Sequence, residues 1–130
     1  MQENYLYTEV TEEIIKAFYK VYNRLGYGFL EKIYENAMFI ELQSSGLLVE
    51  KQKSIKVFYE GNEVGSYFAD LVVNNLIIIE LKASEYLSKE HEYQLINYLK
   101  ATDMEVGLLL NFGKKPELRR KVFSNEYPHT

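Results

Sequence analysis

The chain has 130 residues, of which 47% are hydrophobic and 15% aromatic, enough for one domain with a real core and too many for a disordered segment. It has no cysteine, which excludes disulfides and thiolate metal sites and leaves oxygen ligands for a metal, with at most His91 to help. Its formal net charge of −4 weighs against tight nonspecific binding to long nucleic acid through the overall field.

Two amphipathic helices are predicted in the first third of the chain. In TEEIIKAFYKVYNRLG the apolar residues recur at helical spacing, with Thr11 as a suitable N-cap and Gly26 as a stop. The segment FLEKIYENAMFIELQSSG repeats this pattern. It predicts a second helix that begins close to Glu31 and ends at Gly46.

Short β-rich runs follow from Leu47. LLVEKQKSIKVFYE ends at a Gly-Asn hairpin signal, and EVGSYFADLVV and LIIIELKA flank a second turn signal at Asn74-Asn75. Three adjacent antiparallel strands are therefore predicted.

A third helix and a last strand complete the predicted order. SKEHEYQLINYLKATD returns to helical spacing with Ser88 as cap, and MEVGLLLNFG predicts a buried strand that joins a neighbour in parallel. The order is α-α-β-β-β-α-β, and the consecutive apolar runs LVV, LIII and GLLL indicate strands covered on both faces. We therefore predict one α/β or α+β domain over residues 1–130, core about 11–120, with a small mixed central sheet flanked by helices.

Basic residues are concentrated in KKPELRR near the C-terminus, which we interpret as solvated surface. The N-terminus MQENYLYTEV has no charged region followed by an apolar region, and no stretch approaches ~20 apolar residues. We therefore expect a soluble cytoplasmic protein with no membrane contact.

Three charges interrupt the apolar hairpin YFADLVVNNLIIIELKA. Glu80 and Lys82 point the same way, because strand side chains alternate faces. A two-residue turn would put Asp70 on the wrong face, whereas an odd-residue turn places it across from Glu80, with Cβ atoms ~4.5–5.5 Å apart. We predict the odd turn.

Two carboxylates that close repel, and the pKa of one rises unless a cation lies between them. Mg²⁺ suits such a pair, because it prefers oxygen ligands and keeps several waters. Lys82 could then neutralise charge at an attacking water or on a phosphoryl oxygen. The alternative is that Glu80 and Lys82 lie at a strand end beside solvent and that Asp70 caps a turn.

Asp70 followed by Glu80-Leu81-Lys82 resembles the signature of the PD-(D/E)XK nuclease superfamily, although Ala69 stands where that signature has proline. GFLEKIY resembles the motif that names the GxxExxY protein family, and YFADLVV, IIIELKA, HEYQLINYLKAT and GLLLNFG resemble its later blocks in order. The resemblance spans about residues 11–120. It implies a restriction-endonuclease-like core and a nuclease that depends on Mg²⁺ or Mn²⁺, with DNA a better expectation than RNA.

The resemblance also implies roles for individual residues. Asp70, Glu80 and the Leu81 backbone carbonyl would hold the metal, and Lys82 would be the catalytic lysine. Glu31 matches the helix acid that completes such sites, by binding a second metal or its water. A carboxylate at a helix N-terminus is also favourable without a metal, by ~0.3–1 kcal/mol.

Gln94 and Tyr98 resemble the Gln-x-x-x-Tyr element of exonuclease-like members, which would orient substrate. Their i, i+4 spacing puts both on one helix face. A second function stays open: a nuclease-fold module that no longer cleaves and acts through a partner. The acidic charge and small size also favour a homodimer or a protein partner for gripping a long substrate.

Overall fold

The computed structural model describes residues 7–124, which form three helices and five strands. The helices are α1 (Thr8–Leu25), α2 (Glu31–Ser44) and α3 (Lys89–Lys100). The strands are β1 (Val49–Tyr59), β2 (Asn62–Val73), β3 (Ile77–Lys82), β4 (Val106–Phe112) and β5 (Pro116–Val122). The predicted order is confirmed through β4, and β5 follows it. Residues 1–6 and 125–130, which the predicted domain includes, lie outside the described range.

One mixed sheet holds the strands in their sequence order, β1-β2-β3-β4-β5. β3 and β4 are parallel, as predicted, and the other neighbours are antiparallel. The fifth strand uses the segment KKPELRR that we had interpreted only as solvated surface. Pro116 is its first residue, where a missing N–H is tolerated. An edge strand is half exposed, so its charged composition gives little strand signal.

Helices cover both faces of the sheet, which confirms the predicted layers. Apolar residues of α1 and α2, such as Phe18 and Met38, pack with Ile77 and Ile79 on one face. On the other face, residues of α3 pack with Ile78 and its neighbours. The helices described between residues 7 and 124 lack the length and apolar character needed to span a membrane.

The predicted start of α2 at Glu31 is confirmed, and of the two predicted N-cap residues one is correct. Ser88 caps α3, since its Oγ accepts from the His91 N–H at 3.3 Å while its own N–H donates to His91 Nδ1 at 3.1 Å. The predicted Thr11 cap is wrong. α1 begins earlier, at Thr8, and the Thr11 N–H donates to the carbonyl of Tyr7 at 2.9 Å, so Thr11 lies inside the helix.

Candidate active site

The turn between β2 and β3 has an odd number of residues. Val73 pairs with Ile77, which leaves Asn74, Asn75 and Leu76 in the turn. Asn74 and Asn75 each have a φ of 54°, in the left-handed region that asparagine enters more readily than most residues. The two asparagines thus allow the tight three-residue connection that the sequence analysis predicted.

This register brings Asp70 and Glu80 together. Leu71 pairs with Ile79, and one further step along the same register places Asp70 opposite Glu80. The regular pairing of β2 with β3 ends at Leu71, so the strands part at this point. The two acids therefore lie in a fork between neighbouring strands.

At the fork, carboxylate oxygens accept hydrogen bonds from backbone N–H groups. The Asp70 N–H donates to Glu80 Oε2 at 2.9 Å, and the Leu81 N–H donates to Asp70 Oδ2 at 2.8 Å. Glu80 is 5% exposed, which rules out the alternative that it lies beside solvent at a strand end. Each acid is thus held by the backbone of the opposite strand.

The fork raises the pKa of both acids. Burial is the largest cause for Glu80, followed by the negative charge of Asp70, and together they raise its pKa to about 8. Burial also raises the pKa of Asp70, against the lowering effect of the Leu81 N–H. The positive charge of Lys82 lowers the pKa of both acids, so the lysine partly offsets the negative charge of the fork. Negative charge is therefore under-compensated in the fork.

Glu31 acts on the fork from α2. It is the first residue of that helix and is exposed, and its negative charge contributes to the raised pKa of Glu80. The sequence prediction that Glu31 borders the acidic pair agrees with this electrostatic coupling. Its role as a ligand stays a prediction.

Tyr98 acts on the fork from α3. Its ring is 4% exposed and lies 5.0 Å from the ring of Tyr67, centroid to centroid. Burial and then the charges of Glu80 and Asp70 raise its pKa to about 12. Gln94, one turn earlier on α3, is half-buried, and within residues 7–124 no side-chain hydrogen bond ties it to the fork. The charges of Glu80 and Asp70 therefore act on Tyr98. The role of Gln94 stays a prediction.

Two site residues were missed by the sequence analysis. Glu35 is 4% exposed on α2, and its Oε1 accepts from Gln52 Nε2 at 2.8 Å. The same Gln52 nitrogen lies 3.3 Å from Asp70 Oδ1, so one amide bridges the two acids. The i, i+4 spacing from Glu31 could have indicated Glu35. Nothing in the sequence distinguishes Gln52.

Gln52 also changes the course of β1. Its φ of 51° lies in the left-handed region, in the middle of a strand. Val49 packs on the α1–α2 face and Ile55 on the α3 face. The two residues are six positions apart, and in a regular strand an even offset would put them on the same face. The strand therefore switches faces near Gln52. Because Gln52 and Asp70 lie between the pairs Lys51–Leu71 and Lys53–Ala69, the switch coincides with the fork.

The donor chemistry of the fork fits a divalent cation. No group of three or more His, Cys, Asp or Glu residues is arranged as a metal site within residues 7–124. The fork instead offers two carboxylates, and Glu80 Oε1 accepts no hydrogen bond from another described residue. Mg²⁺ and similar hard cations accept one or two carboxylates and complete their shell with water. Burial and mutual repulsion raise the pKa of both acids, and a bound proton or cation would offset this repulsion.

The comparisons with known proteins agree with this geometry. A sequence model of the PD-(D/E)XK nuclease superfamily matches residues 8–121, so the chain belongs to that superfamily. A solved structure described as "Crystal structure of SSO0001" matches with a TM-score of 0.55 at 20% identity, over 70% of this chain and 50% of that one. This likeness shows the fold alone, which is restriction-endonuclease-like and α+β. The chain thus spans about half the length of that protein.

No curated protein sequence matches the chain. Within the superfamily, membership of the GxxExxY family stays a prediction from the sequence motifs.

Proposed function

We propose that the chain is a divalent-cation-dependent phosphodiesterase that hydrolyses nucleic acid in the cytoplasm, DNA in preference to RNA. The observation that carries this proposal is the fork, where half-buried Asp70 and buried Glu80 lie together and the pKa of Glu80 is about 8. A structural ion pair would have opposite charges at these positions. Membership of a nuclease superfamily supports the same function.

Three groups would hold the cation, Mg²⁺ or Mn²⁺: the carboxylates of Asp70 and Glu80 and the backbone carbonyl of Leu81. Glu31 would bind a second cation or its water from the start of α2. When bound, a divalent cation polarises a phosphoryl oxygen and lowers the pKa of a bound water.

The other residues act on the substrate. Lys82 follows Glu80 by two strand positions, so its ammonium group would stabilise the attacking water or the charge that develops on a phosphoryl oxygen. Tyr98, with a pKa of about 12, stays protonated at neutral pH and can donate to a phosphate oxygen. Gln94 would orient the substrate from the same helix face.

Glu35 and Gln52 would position Asp70. The Gln52 amide restrains Asp70 Oδ1, and Glu35 restrains the amide. We expect this chain of contacts to hold the Asp70 carboxylate in the orientation that a cation needs.

A nuclease-fold module without activity, working through a protein partner or as a homodimer, is the second candidate. The net charge of −4 favours it, because such a protein attracts a long polyanion poorly without a basic partner. This candidate predicts no hydrolysis under any metal condition.

Hydrolysis of labelled substrates tests the proposal. Single- and double-stranded DNA and RNA are incubated with Mg²⁺, with Mn²⁺ or with EDTA. We expect metal-dependent cleavage that Lys82→Ala lowers by about 10²–10³-fold, the typical loss when a charge-stabilising group is removed. Lys16→Ala, at an exposed lysine of α1, is the matched control. Cleavage that persists in EDTA, or that Lys82→Ala leaves unchanged, would contradict the proposed mechanism.

A further inference from the structure

A pocket of about 610 Å³ opens between the β1–β2 hairpin and α3. We call it the hairpin pocket, and its lining includes Lys56, Phe58, Tyr67, Asn97 and Lys100. Its volume lies within the usual range for ligand pockets, ~300–1,000 Å³. The function proposed above leaves this pocket without a role.

The hairpin pocket combines open aromatic rings with positive charge. Phe58 is 48% exposed and Tyr67 is 46% exposed. Lys56 and Lys100 line the pocket, and no lining residue is acidic. Outside the lining, Glu63 lies 3.8 Å from the Lys56 ammonium in an exposed pair, and such pairs hold a lysine only weakly. The pocket therefore suits a ligand that is both flat and anionic.

Tyr67 links the hairpin pocket to Tyr98, on which the acids of the fork act. The ring of Tyr67 stands in the pocket and lies 5.0 Å from the ring of Tyr98, whose pKa the acids of the fork raise. Tyr67 precedes Asp70 by three strand residues, a distance of about 10 Å along β2. One strand of nucleic acid rises about 3.4 Å per stacked nucleotide, so the pocket would meet nucleotides about three positions from the reacting phosphate.

We propose that the hairpin pocket binds a single-stranded stretch of nucleic acid that flanks the scissile phosphate. A base stacks on Phe58 or Tyr67, and the neighbouring phosphates meet Lys56 and Lys100. Rings interleaved with basic residues are the usual means of binding single strands, since every base has a face that can stack. In an intact duplex those faces are stacked on neighbouring bases. The position next to a scissile phosphate rests on the proposed function, whereas strand binding by the pocket does not.

Binding in EDTA tests this inference without hydrolysis. Fluorescence anisotropy measures the affinity of the protein for labelled single-stranded dT12 and rU12 and for a duplex of the same length. We expect tighter binding of a single strand than of the duplex. Phe58→Ala and Tyr67→Leu should each weaken single-strand binding about fivefold or more. Tyr93→Ala, at a still more exposed aromatic position on α3 outside the pocket, is the control.

Salt dependence tests the lysines. Lys56→Ala and Lys100→Ala should each reduce the slope of log K against log salt concentration by about 0.7, the value for one lost phosphate contact on a single strand. Lys16→Ala is the matched control, because Lys16 also sits in an exposed pair, 3.7 Å from Glu13, but on the opposite side of the sheet.

Three results would overturn the inference. The first is preference for the duplex, and the second is unchanged single-strand binding in both aromatic variants with melting temperatures near wild type. The third is a dimer in sedimentation that Phe58→Ala dissociates, because a second copy would then cover the pocket. If pocket variants lose strand binding while no divalent ion supports cleavage, the proposed function fails and the pocket assignment stands. If metal-dependent cleavage occurs and the pocket variants bind single strands normally, the proposed function stands and the pocket assignment fails.

Discussion

The backbone N–H of Asp70 donates a hydrogen bond to Glu80 Oε2 at 2.9 Å, at the point where β2 and β3 part. In a continuous antiparallel hairpin, main-chain donors of this kind bond to carbonyls of the partner strand. Here the Glu80 carboxylate accepts this hydrogen bond in place of a carbonyl, which keeps both acids inside the fork. Burying like charges in this way is typical of functional sites, where a ligand offsets the repulsion.

The stability of the metal-free protein should fall as pH rises. The pKa of Glu80 is about 8 in the folded state against an ordinary 4.5, so between these values the folded protein holds a proton that the unfolded chain has lost. The free energy of unfolding therefore decreases across this window and levels off above it, by up to roughly 4 kcal/mol. Glu80→Gln should remove most of this decrease. Urea unfolding in EDTA at pH 5 and pH 8.5 measures it, and equal pH dependence in both proteins would refute it.

Divalent ions should stabilise the wild type and leave the fork variants unaffected. Without metal, Asp70→Asn and Glu80→Gln should match or exceed wild-type stability, because each removes repulsion. Millimolar Mg²⁺ or Mn²⁺ should raise the wild-type melting temperature. At a hundredfold excess over Kd, binding adds about 2.7 kcal/mol to the free energy of unfolding. Thermal melts with and without metal test this, with Glu13→Gln on α1 as control. If both variants are less stable than wild type, and divalent ions leave the wild-type melting temperature unchanged, then Asp70 and Glu80 have a structural role.

Loss of the Gln52 amide should weaken cation binding more than it weakens the fold. Gln52→Gly keeps the left-handed φ without strain but removes the bridge from Glu35 to Asp70. We expect 10–100-fold weaker Mn²⁺ binding, about the usual loss when a ligand's supporting contact is removed. Gln52→Ala should lose the same affinity and a further ~1–2 kcal/mol of stability, because alanine is strained at this φ. Wild-type Mn²⁺ affinity in the glycine variant would show that the bridge does not position Asp70.

Asn111 should behave as a structural polar residue, in contrast to the fork acids. It is fully buried, donates to the Ser84 carbonyl at 3.0 Å and accepts from the Ser84 N–H at 3.0 Å. Asn111→Ala leaves both Ser84 groups without this partner, so we expect a loss of about 1–3 kcal/mol with or without metal. Asn36→Ala, which removes an exposed contact to Lys51, is the control. Equal unfolding free energies for the two variants would contradict this role.

The apolar patterns predicted most of the fold, because helices and strands bury their faces at different periods. The odd turn followed from the charges, since it alone brings Asp70 across from Glu80. The start of α1 was misplaced because a threonine inside a helix and one that caps it look alike in sequence. β5 was missed because an edge strand tolerates charged residues.

The candidate site was predicted less completely. Asp70, Glu80 and Lys82 stand out as charges in an apolar hairpin, and this contrast depends only on the sequence. Gln52 acts through a left-handed φ in a strand, a conformation that its residue type does not favour and that only the assembled sheet imposes. Glu35 becomes a site residue only because that backbone conformation coincides with the fork.

Titration of the protein into Mn²⁺, followed by the electron paramagnetic resonance signal of the free ion, tests the central claim most directly. Wild-type protein should deplete the signal with one or two bound ions per chain, and Asp70→Asn and Glu80→Gln should each leave it nearly undiminished under the same conditions. Because Glu80 must lose its proton to bind, the wild-type affinity should also rise between pH 6 and pH 8. A wild-type protein that leaves the free Mn²⁺ signal unchanged, or variants that deplete it equally, would contradict a cation site at Asp70 and Glu80.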